Sequence, residues 1–392
     1  MEIEKVGKDS NNFSDTKPHY ELLDGLRGIA ALFVVWYHVF EGLAFAEIQN
    51  SAGDGLIRIL NHGYLAVDFF FMLSGFVISY AYDDRWGKLN LRIFFRRRLI
   101  RLHPMVMMGA AIGAVAFIVG GCQQWSGETV SINWLLVALC LAICMIPIFP
   151  STYPEVRGNG EMFPLNGPSW SLFFEYIGNI LYAVVLRRLS THFLILLVGV
   201  LAVVFAWFCV FNISDYGCIG VGWTLDGVNF GGGLLRMLFP FTLGMVLARK
   251  FKPIKVRWAL GICSFLLLLL FIVPYIPGEG RLCYNGIYEF CCVAIVFPAI
   301  VWLGASGKAT DNYTHRINQF LGELSYPLYM VHYPVMYLFY AWLIKHGYYT
   351  LEAVGWLAVG VVCFNVLLAW VCCKYYDRPM RRWLLHFGNQ KW

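Results

Sequence analysis

An all-α polytopic membrane protein is the fold class this sequence predicts, and three observations predict it. Of its 392 residues, 59% are hydrophobic and only 14% are charged, against about 25% charged in an ordinary soluble domain. Apolar windows of about 20 residues, the length that crosses a bilayer as a helix, recur along the whole chain. The basic residues gather in the stretches between those windows, as the positive-inside bias requires. That bias accounts for the net charge of +6. No basic stripe or aromatic platform points to nucleic acid.

The elements follow in order. Residues 1–19 are polar, carry Lys5, Lys8 and Lys17, and hold no apolar core. They read as a cytoplasmic tail, not a cleavable signal peptide. Spans are predicted near 22–43, 62–82, 103–121, 169–187, 191–211, 230–249, 257–276, 286–304, 320–344 and 353–375, with a further apolar window at 132–149. Charge decides whether that window crosses. The segment before the third span carries Arg85, Lys88, Arg92, Arg96, Arg97, Arg98 and Arg101, which makes it cytoplasmic and puts the N-terminus inside. If 132–149 crossed, the later basic clusters would alternate onto opposite sides. If it does not, Arg187, Arg188, the cluster at 249–257, Lys308, Arg316 and the tail arginines are all cytoplasmic. Asp215, Asp226 and Glu279 are then external. The prediction is about ten transmembrane helices with both termini cytoplasmic, and a re-entrant or external hairpin at 132–149, which Pro147 and Pro150 suit. Residues 20–385 form the transmembrane domain, and 386–392 a cytoplasmic tail. No repeat of 20–50 residues is visible.

Twelve cysteines are present, without zinc-finger spacing. Most lie inside apolar windows as small core residues, and no metal site is expected. Cys218 and Cys283 fall in external loops, where an oxidising compartment permits a disulfide; the sequence leaves that pairing open.

The informative residues are the polar ones inside spans, because each costs roughly 3 kcal/mol or more at the bilayer centre. Arg27 and His38 are eleven residues apart, almost three helical turns, so they share a helix face about 16 Å apart along the axis. Counting about 1.5 Å per residue from each predicted boundary places His38, Asp68, Glu175 and His332 in one layer, about two thirds of the way to the outer face. A histidine among carboxylates suits general-base chemistry, with the carboxylate orienting the imidazole. Each residue alone also fits a structural interhelical hydrogen bond. A second constellation, Phe94-Phe95-Arg96-Arg97-Arg98-Leu99-Ile100-Arg101, lies at the cytoplasmic mouth of the third span. Arg98 and Arg101 face one side of a helix and suit a phosphate group; a plain membrane anchor is the other reading. In the second span, Gly75 permits close helix approach and Ser74 an interhelical hydrogen bond.

These segments resemble the membrane-bound acyltransferase-3 family, which modifies surface glycans and other acceptors. The residues that carry the resemblance are Leu23-Asp24-Gly25-Leu26-Arg27-Gly28 with His38 after a ten-residue gap, Val67-Asp68-Phe69-Phe70-Phe71-Met72-Leu73-Ser74-Gly75-Phe76, and Arg98-Leu99-Ile100-Arg101 with Pro104. Trp170-Ser171-Leu172 with Glu175, Leu324-Ser325-Tyr326-Pro327-Leu328-Tyr329-Met330-Val331-His332, and Asp377-Arg378-Pro379 complete it. Each is weak alone; their order and spacing together are specific, from about residue 19 to 385.

The resemblance implies an O-acyltransferase that uses cytoplasmic acyl-CoA, commonly acetyl-CoA, and needs no metal. Arg98 and Arg101, with Arg97 beside them, are then expected to hold the CoA phosphates. Arg27 and His38 are the expected essential pair. His38 is a base or a transient acyl carrier, Glu175 or Asp68 orients it, and Arg27 steadies the thioester oxyanion or holds the donor. His332, Tyr329 and Trp170 are the candidate acceptor-binding residues. Trp125, Trp134 and Trp223 also lie near the outer face, where aromatic rings stack on sugars or simply belong to the interface belt. The expected acceptor is a surface carbohydrate or glycolipid, and the expected location is the bacterial inner membrane. Many members carry a fused external domain, so the expectation is that this chain acts alone or with a separate external transferase. The competing reading is a proton-coupled transporter using the His/carboxylate layer as a relay. No two-half symmetry supports it.

Overall fold

Every apolar window read from the sequence folds as a helix. The computed structural model describes residues 20–51, 61–87, 89–278, 282–308 and 311–387. The predicted tail at 1–19, Lys88, Glu279 and residues 388–392 lie outside the described residues. The helices are α1 (Glu21–Ser51), α2 (Ala66–Tyr82), α3 (Leu91–Val119), α4 (Ile132–Ile143), α5 (Ser169–Val184), α6 (Thr191–Val210) and α7 (Gly227–Lys250). They continue as α8 (Ala259–Ile272), α9 (Tyr284–Cys291), α10 (Phe297–Ser306), α11 (Asn312–His346), α12 (Leu351–Cys372) and α13 (Arg378–Phe387). Short π-helical turns join α9 to α10 and α12 to α13. Among the described residues, β pairing is limited to isolated bridges.

Among the described residues, eight helical segments are long and apolar enough to cross a membrane by length and composition. α8 is a shorter apolar helix of 14 residues. α11 has 35 residues, about 52 Å at helical rise, and carries a line of polar side chains. α4 has only 12 residues, about 18 Å, which falls short of the ~30 Å hydrocarbon thickness. The chain after α4 returns irregularly through 144–168, where Arg157, Met162, Phe163 and Leu165 are buried. The 132–149 window is thus a short helix packed on α3 followed by a folded return.

α3 begins twelve residues before the predicted window at 103. The Asn90 side chain accepts from the backbone N–H of Ile93 at 2.9 Å and starts the helix there. The arginine segment is therefore helical and continuous with the span. Asp226 and Asp311 cap α7 and α11 in the same way.

The centre of the bundle is α1 against α11, with α2 against α7 beside it. Lipid tails are as apolar as leucine, so helices associate here by close packing, which small residues permit. A Cβ on Gly28 would strike the Leu321 backbone, and one on Gly75 the Phe241 carbonyl. Gly25 and Gly28 meet Asn318 and Leu321, while His38 meets His332 farther along. α1 and α11 therefore run parallel. They carry polar side chains from an end rich in arginines to an end capped by the segments 144–168 and 211–226.

Candidate active site

Two cavities lie along the α1–α11 pair, and the two residues singled out on α1 fall one in each. At the arginine end a cavity of about 610 Å³ is lined by Arg27, Arg101, Glu175, Asn318 and Tyr326, among others. At the loop end a cavity of about 300 Å³ is lined by His38, Glu41, Trp170, Arg236, Tyr329 and neighbouring side chains. Tyr326 and Tyr329 are three residues apart on α11, about 4.5 Å along the axis. One helical turn is thus the depth of the wall between the cavities at that point.

At the arginine end, Arg98 is buried and donates from Nη2 to Glu175 Oε1 at 2.7 Å. The same oxygen accepts from Ser74 Oγ at 3.0 Å. Ser74 thus makes the interhelical bond expected of it, and its partner is Glu175. Arg101, one turn on from Arg98, lines the cavity and has no ion-pair partner among the described residues. Arg27 is partly exposed, 3.8 Å from Asp24. Arg97 points round the helix from Arg98, half-buried and outside the cavity lining. Arg381 also lines the cavity but is held by Asp377, with Nη2–Oδ2 at 2.6 Å, and Arg98 is occupied in holding α3 to α5, which leaves Arg101 and Arg27 as the guanidinium groups most available to an anion.

At the loop end, His38 Nδ1 lies 2.6 Å from Glu41 Oε2. Glu41 Oε2 also accepts from the hydroxyls of Tyr340 at 2.8 Å and Tyr333 at 3.3 Å. A carboxylate facing Nδ1 fixes the tautomer with the proton there, which leaves the Nε2 lone pair free to accept a proton. The His332 ring lies 5.2 Å from that of His38, centre to centre, and the Tyr333 ring 4.7 Å. His332 is fully buried, its Nδ1 donating to the Leu328 carbonyl at 3.0 Å and its Nε2 without a hydrogen-bond partner among the described residues. Trp125, Trp170 and Trp223 line this cavity, whereas Trp134 stacks on Tyr153 at 5.3 Å, away from it. Tyr329 bonds Ser171 at 2.7 Å. From the 144–168 return, Glu161 accepts from the hydroxyl of Tyr337 and from Asn159 Nδ2 at 2.8 Å. Burial pushes its carboxyl up to about 7.

Of the predicted single layer, His38 and His332 meet and Asp68 stays level with their cavity through Arg236, which lines it, whereas Glu175 lies in the other cavity. Asp68 does not orient His38; it is fully buried against Arg236, with Nε–Oδ1 at 3.1 Å and Nη2–Oδ2 at 2.6 Å. Arg236 also donates to the carbonyls of Val221 and Tyr64 and lies 5.1 Å from the Trp170 ring. Asp68 and Arg236 therefore tie α2, α7 and the 211–226 segment together. Glu175 does not orient His38 either, because it faces Arg98 in the other cavity. The carboxylate that does so is Glu41, three residues along the same helix.

Removing one member of a buried ion pair costs about 3–5 kcal/mol. Arg236→Met is accordingly expected to lower the thermal unfolding midpoint of the purified protein by several degrees. The double variant with Asp68→Asn is expected to recover part of the loss. An unchanged midpoint in the single variant would remove the tying role. Cys218 and Cys283 are both free thiols, with Cys283 Sγ directed at the Gly217 carbonyl at 3.4 Å.

The family model described as "Acyltransferase domain", acyltransferase-3, matches residues 20–374. The chain belongs to this family. It is 34% identical over 194 residues to protein 2 in the picA locus of Rhizobium radiobacter, covering 47% of this chain and 91% of that protein. It is 31% identical over 160 residues to the acyltransferase MdmB of Streptomyces mycarofaciens, covering 39% of this chain and 36% of that one. It is 24% identical over 382 residues to the peptidoglycan O-acetyltransferase OatA of Listeria monocytogenes, covering 92% of this chain and 55% of that protein. The chain thus spans about half the length of that O-acetyltransferase, and about a third of the Streptomyces acyltransferase is matched. No solved structure matches it.

Proposed function

We propose that this member of the acyltransferase-3 family moves an acyl group, in the first instance acetyl, from cytoplasmic acyl-CoA to a hydroxyl of a carbohydrate or glycolipid in the bacterial inner membrane. The observation that carries the reading is the division of one helix between two cavities, with Arg27 lining one and His38 the other. The CoA diphosphate sits against Arg101 and Arg27, where guanidinium groups make charge-assisted hydrogen bonds to phosphate oxygens. The pantetheine arm then runs along the α1–α11 pair. Arg27 and His38 are about 16 Å apart along the axis, a distance the arm covers. The loop-end cavity, with its tryptophans and Glu161, receives the acceptor. The names of the Listeria and Streptomyces relatives support the reaction class, and the acceptor's chemistry rests on the aromatic lining.

In the chemical step His38 Nε2 takes the proton of the acceptor hydroxyl. The hydroxyl oxygen bonds to the thioester carbonyl carbon, and the C–S bond breaks as the tetrahedral intermediate collapses. The departing thiolate receives the proton from His38 Nε2, so the products are an ester and free CoA. Glu41 stabilises the imidazolium formed in between, and Tyr333 and Tyr340 hold Glu41 in place. The same geometry serves a transient acyl-His38, in which Nε2 attacks the thioester first.

Glu41 is a positioning residue in this account. Glu41→Gln keeps its size and loses its charge, and is expected to lower kcat about 100-fold with little change in KM for acetyl-CoA. An unchanged kcat, measured by release of free CoA, would take Glu41 out of the mechanism. The transporter reading is set against this by the same assay, since a transporter turns over no acyl-CoA.

A further inference from the structure

Beyond the loop-end cavity lies a cleft of about 570 Å³ that has no part in the transfer step. Asn159 and Trp223 line both spaces. Neither residue is buried, so the two form a lip between cavity and cleft. The segments that build the cleft, 144–168 and 211–226, are pinned together at this lip. The Met162 backbone N–H donates to the Trp223 carbonyl at 2.9 Å, and Glu161 pairs with Thr224 in an isolated bridge. Glu155 accepts from the backbone N–H groups of Arg157, Gly158 and Gly160, which fixes the turn below the lip.

The walls carry two kinds of group. Tyr216 stacks on Trp223, with ring centres 6.5 Å apart and planes 25° apart, and Trp223 is held by its Nε1–H on the Gly220 carbonyl at 3.0 Å. From the other segment, Tyr153 stacks on Trp134. Tyr216 and Tyr153 both line the cleft and are both exposed. Rigid aromatic planes of this kind give contact area at low conformational cost, and they match the C–H face of a sugar ring. The charged residues of the lining are all acids: Glu128, Glu155 and Asp226. No lysine, arginine or histidine joins them among the described residues. A cleft lined by one sign of charge repels ligands of the same sign.

The loop-end cavity, at about 300 Å³, is at the small end of the range for ligand sites. In the transfer step it also holds the acyl group and the end of the pantetheine arm, which leaves room for little more than one sugar unit. The next unit of a longer acceptor has to cross the lip at Trp223. We infer that the outer cleft holds the sugar unit adjoining the one that is acylated. The acceptor is then a chain of at least two units, without anionic groups, that enters from the aqueous face and not from the bilayer. This rests on the acyl-transfer reading above and adds to it the length, charge and route of the acceptor.

The test is binding of the purified full-length protein to immobilised neutral, amino and anionic glycans of one to six sugar units, with the neutral chains also presented on a lipid anchor in vesicles. Neutral and amino chains of two or more units are expected to bind about tenfold more tightly than single sugars, and than anionic chains of equal length. Free and lipid-anchored chains are expected to bind alike. Tyr216→Ala is expected to weaken chain binding about tenfold, and Tyr216→Phe, which keeps the ring, to leave it unchanged. Glu128→Lys is expected to narrow the gap between anionic and neutral chains, a gain that a misfolded variant cannot produce. Single sugars bound as tightly as chains, full chain binding by Tyr216→Ala, an unchanged gap in Glu128→Lys, or a requirement for the lipid anchor would each overturn the inference. Release of free CoA from acetyl-CoA with the same glycans separates this from the underlying reading. Release without a length preference overturns the cleft alone. No release with any glycan overturns the acyl-transfer reading and the inference with it.

Discussion

His38→Ala is expected to lower acyl transfer by about 10³–10⁴-fold while leaving CoA affinity within about twofold of wild type. The magnitude is the upper range of what a positioned general base contributes. The selectivity follows from geometry, because His38 lines the loop-end cavity and the donor's phosphates belong to the other one. The side chain is mostly buried among Tyr37, Tyr333 and His332, so a folding control is part of the experiment. A thermal midpoint near that of the wild type and retained CoA binding together serve as that control. Near-normal transfer by the variant would exclude His38 from both roles. The roles themselves separate on incubation with radiolabelled acetyl-CoA and no acceptor. A carrier histidine accumulates label on the protein that His38→Ala lacks, and a base does not.

Arg101→Glu is the second large effect, expected to weaken acetyl-CoA binding about 100-fold. Charge-assisted hydrogen bonds are each worth about 1.5–3 kcal/mol, and about 1.4 kcal/mol is tenfold in affinity. Reversal adds repulsion between the new carboxylate and the phosphates, in a cavity that Glu175 and Asp24 already make acidic. Arg101 is the informative choice because it carries no competing ion pair among the described residues. Arg98→Glu would instead set two carboxylates at the position of the buried Arg98–Glu175 contact and disturb the join of α3 to α5. Binding by the wild type is expected to fall as salt rises, and to fall less steeply in Arg101→Glu. Unchanged affinity in Arg101→Glu would exclude the phosphate-site role.

The helices and the Arg27–His38 stripe were legible in the sequence because they depend on one dimension, the rise along an axis. The partners of the polar residues depend on rotation about each axis and on which helices are neighbours, and counting residues from a boundary contains neither. Counting gives Asp68 a height that the structure bears out, yet its side chain turns toward Arg236 of α7. Arg236, inside the predicted span at 230–249, is the sequence signal for that pairing. Glu175 departs from the count for a different reason: a count from the membrane surface omits the folded return at 144–168 that precedes the start of α5 at Ser169. Trp170 therefore lines the loop-end cavity and Glu175 already belongs to the other one. Glu41 was readable in principle: a carboxylate three residues after a histidine on a helix shares its face. Charge parity predicts that the 132–149 window does not cross, and the 12 residues of α4 agree with a segment that does not span.

The central claim is that one chain receives an acyl group at the arginine-end cavity and delivers it at the loop end. Sealed membrane vesicles from cells expressing the protein test this most directly, with membrane-impermeant radiolabelled acetyl-CoA supplied only to the face that carries Arg98 and Arg101. The account predicts ester-linked label on material enclosed at the opposite face, present with the wild type and absent with His38→Ala. Label confined to the face where acetyl-CoA was supplied, or equal with both proteins, would contradict it.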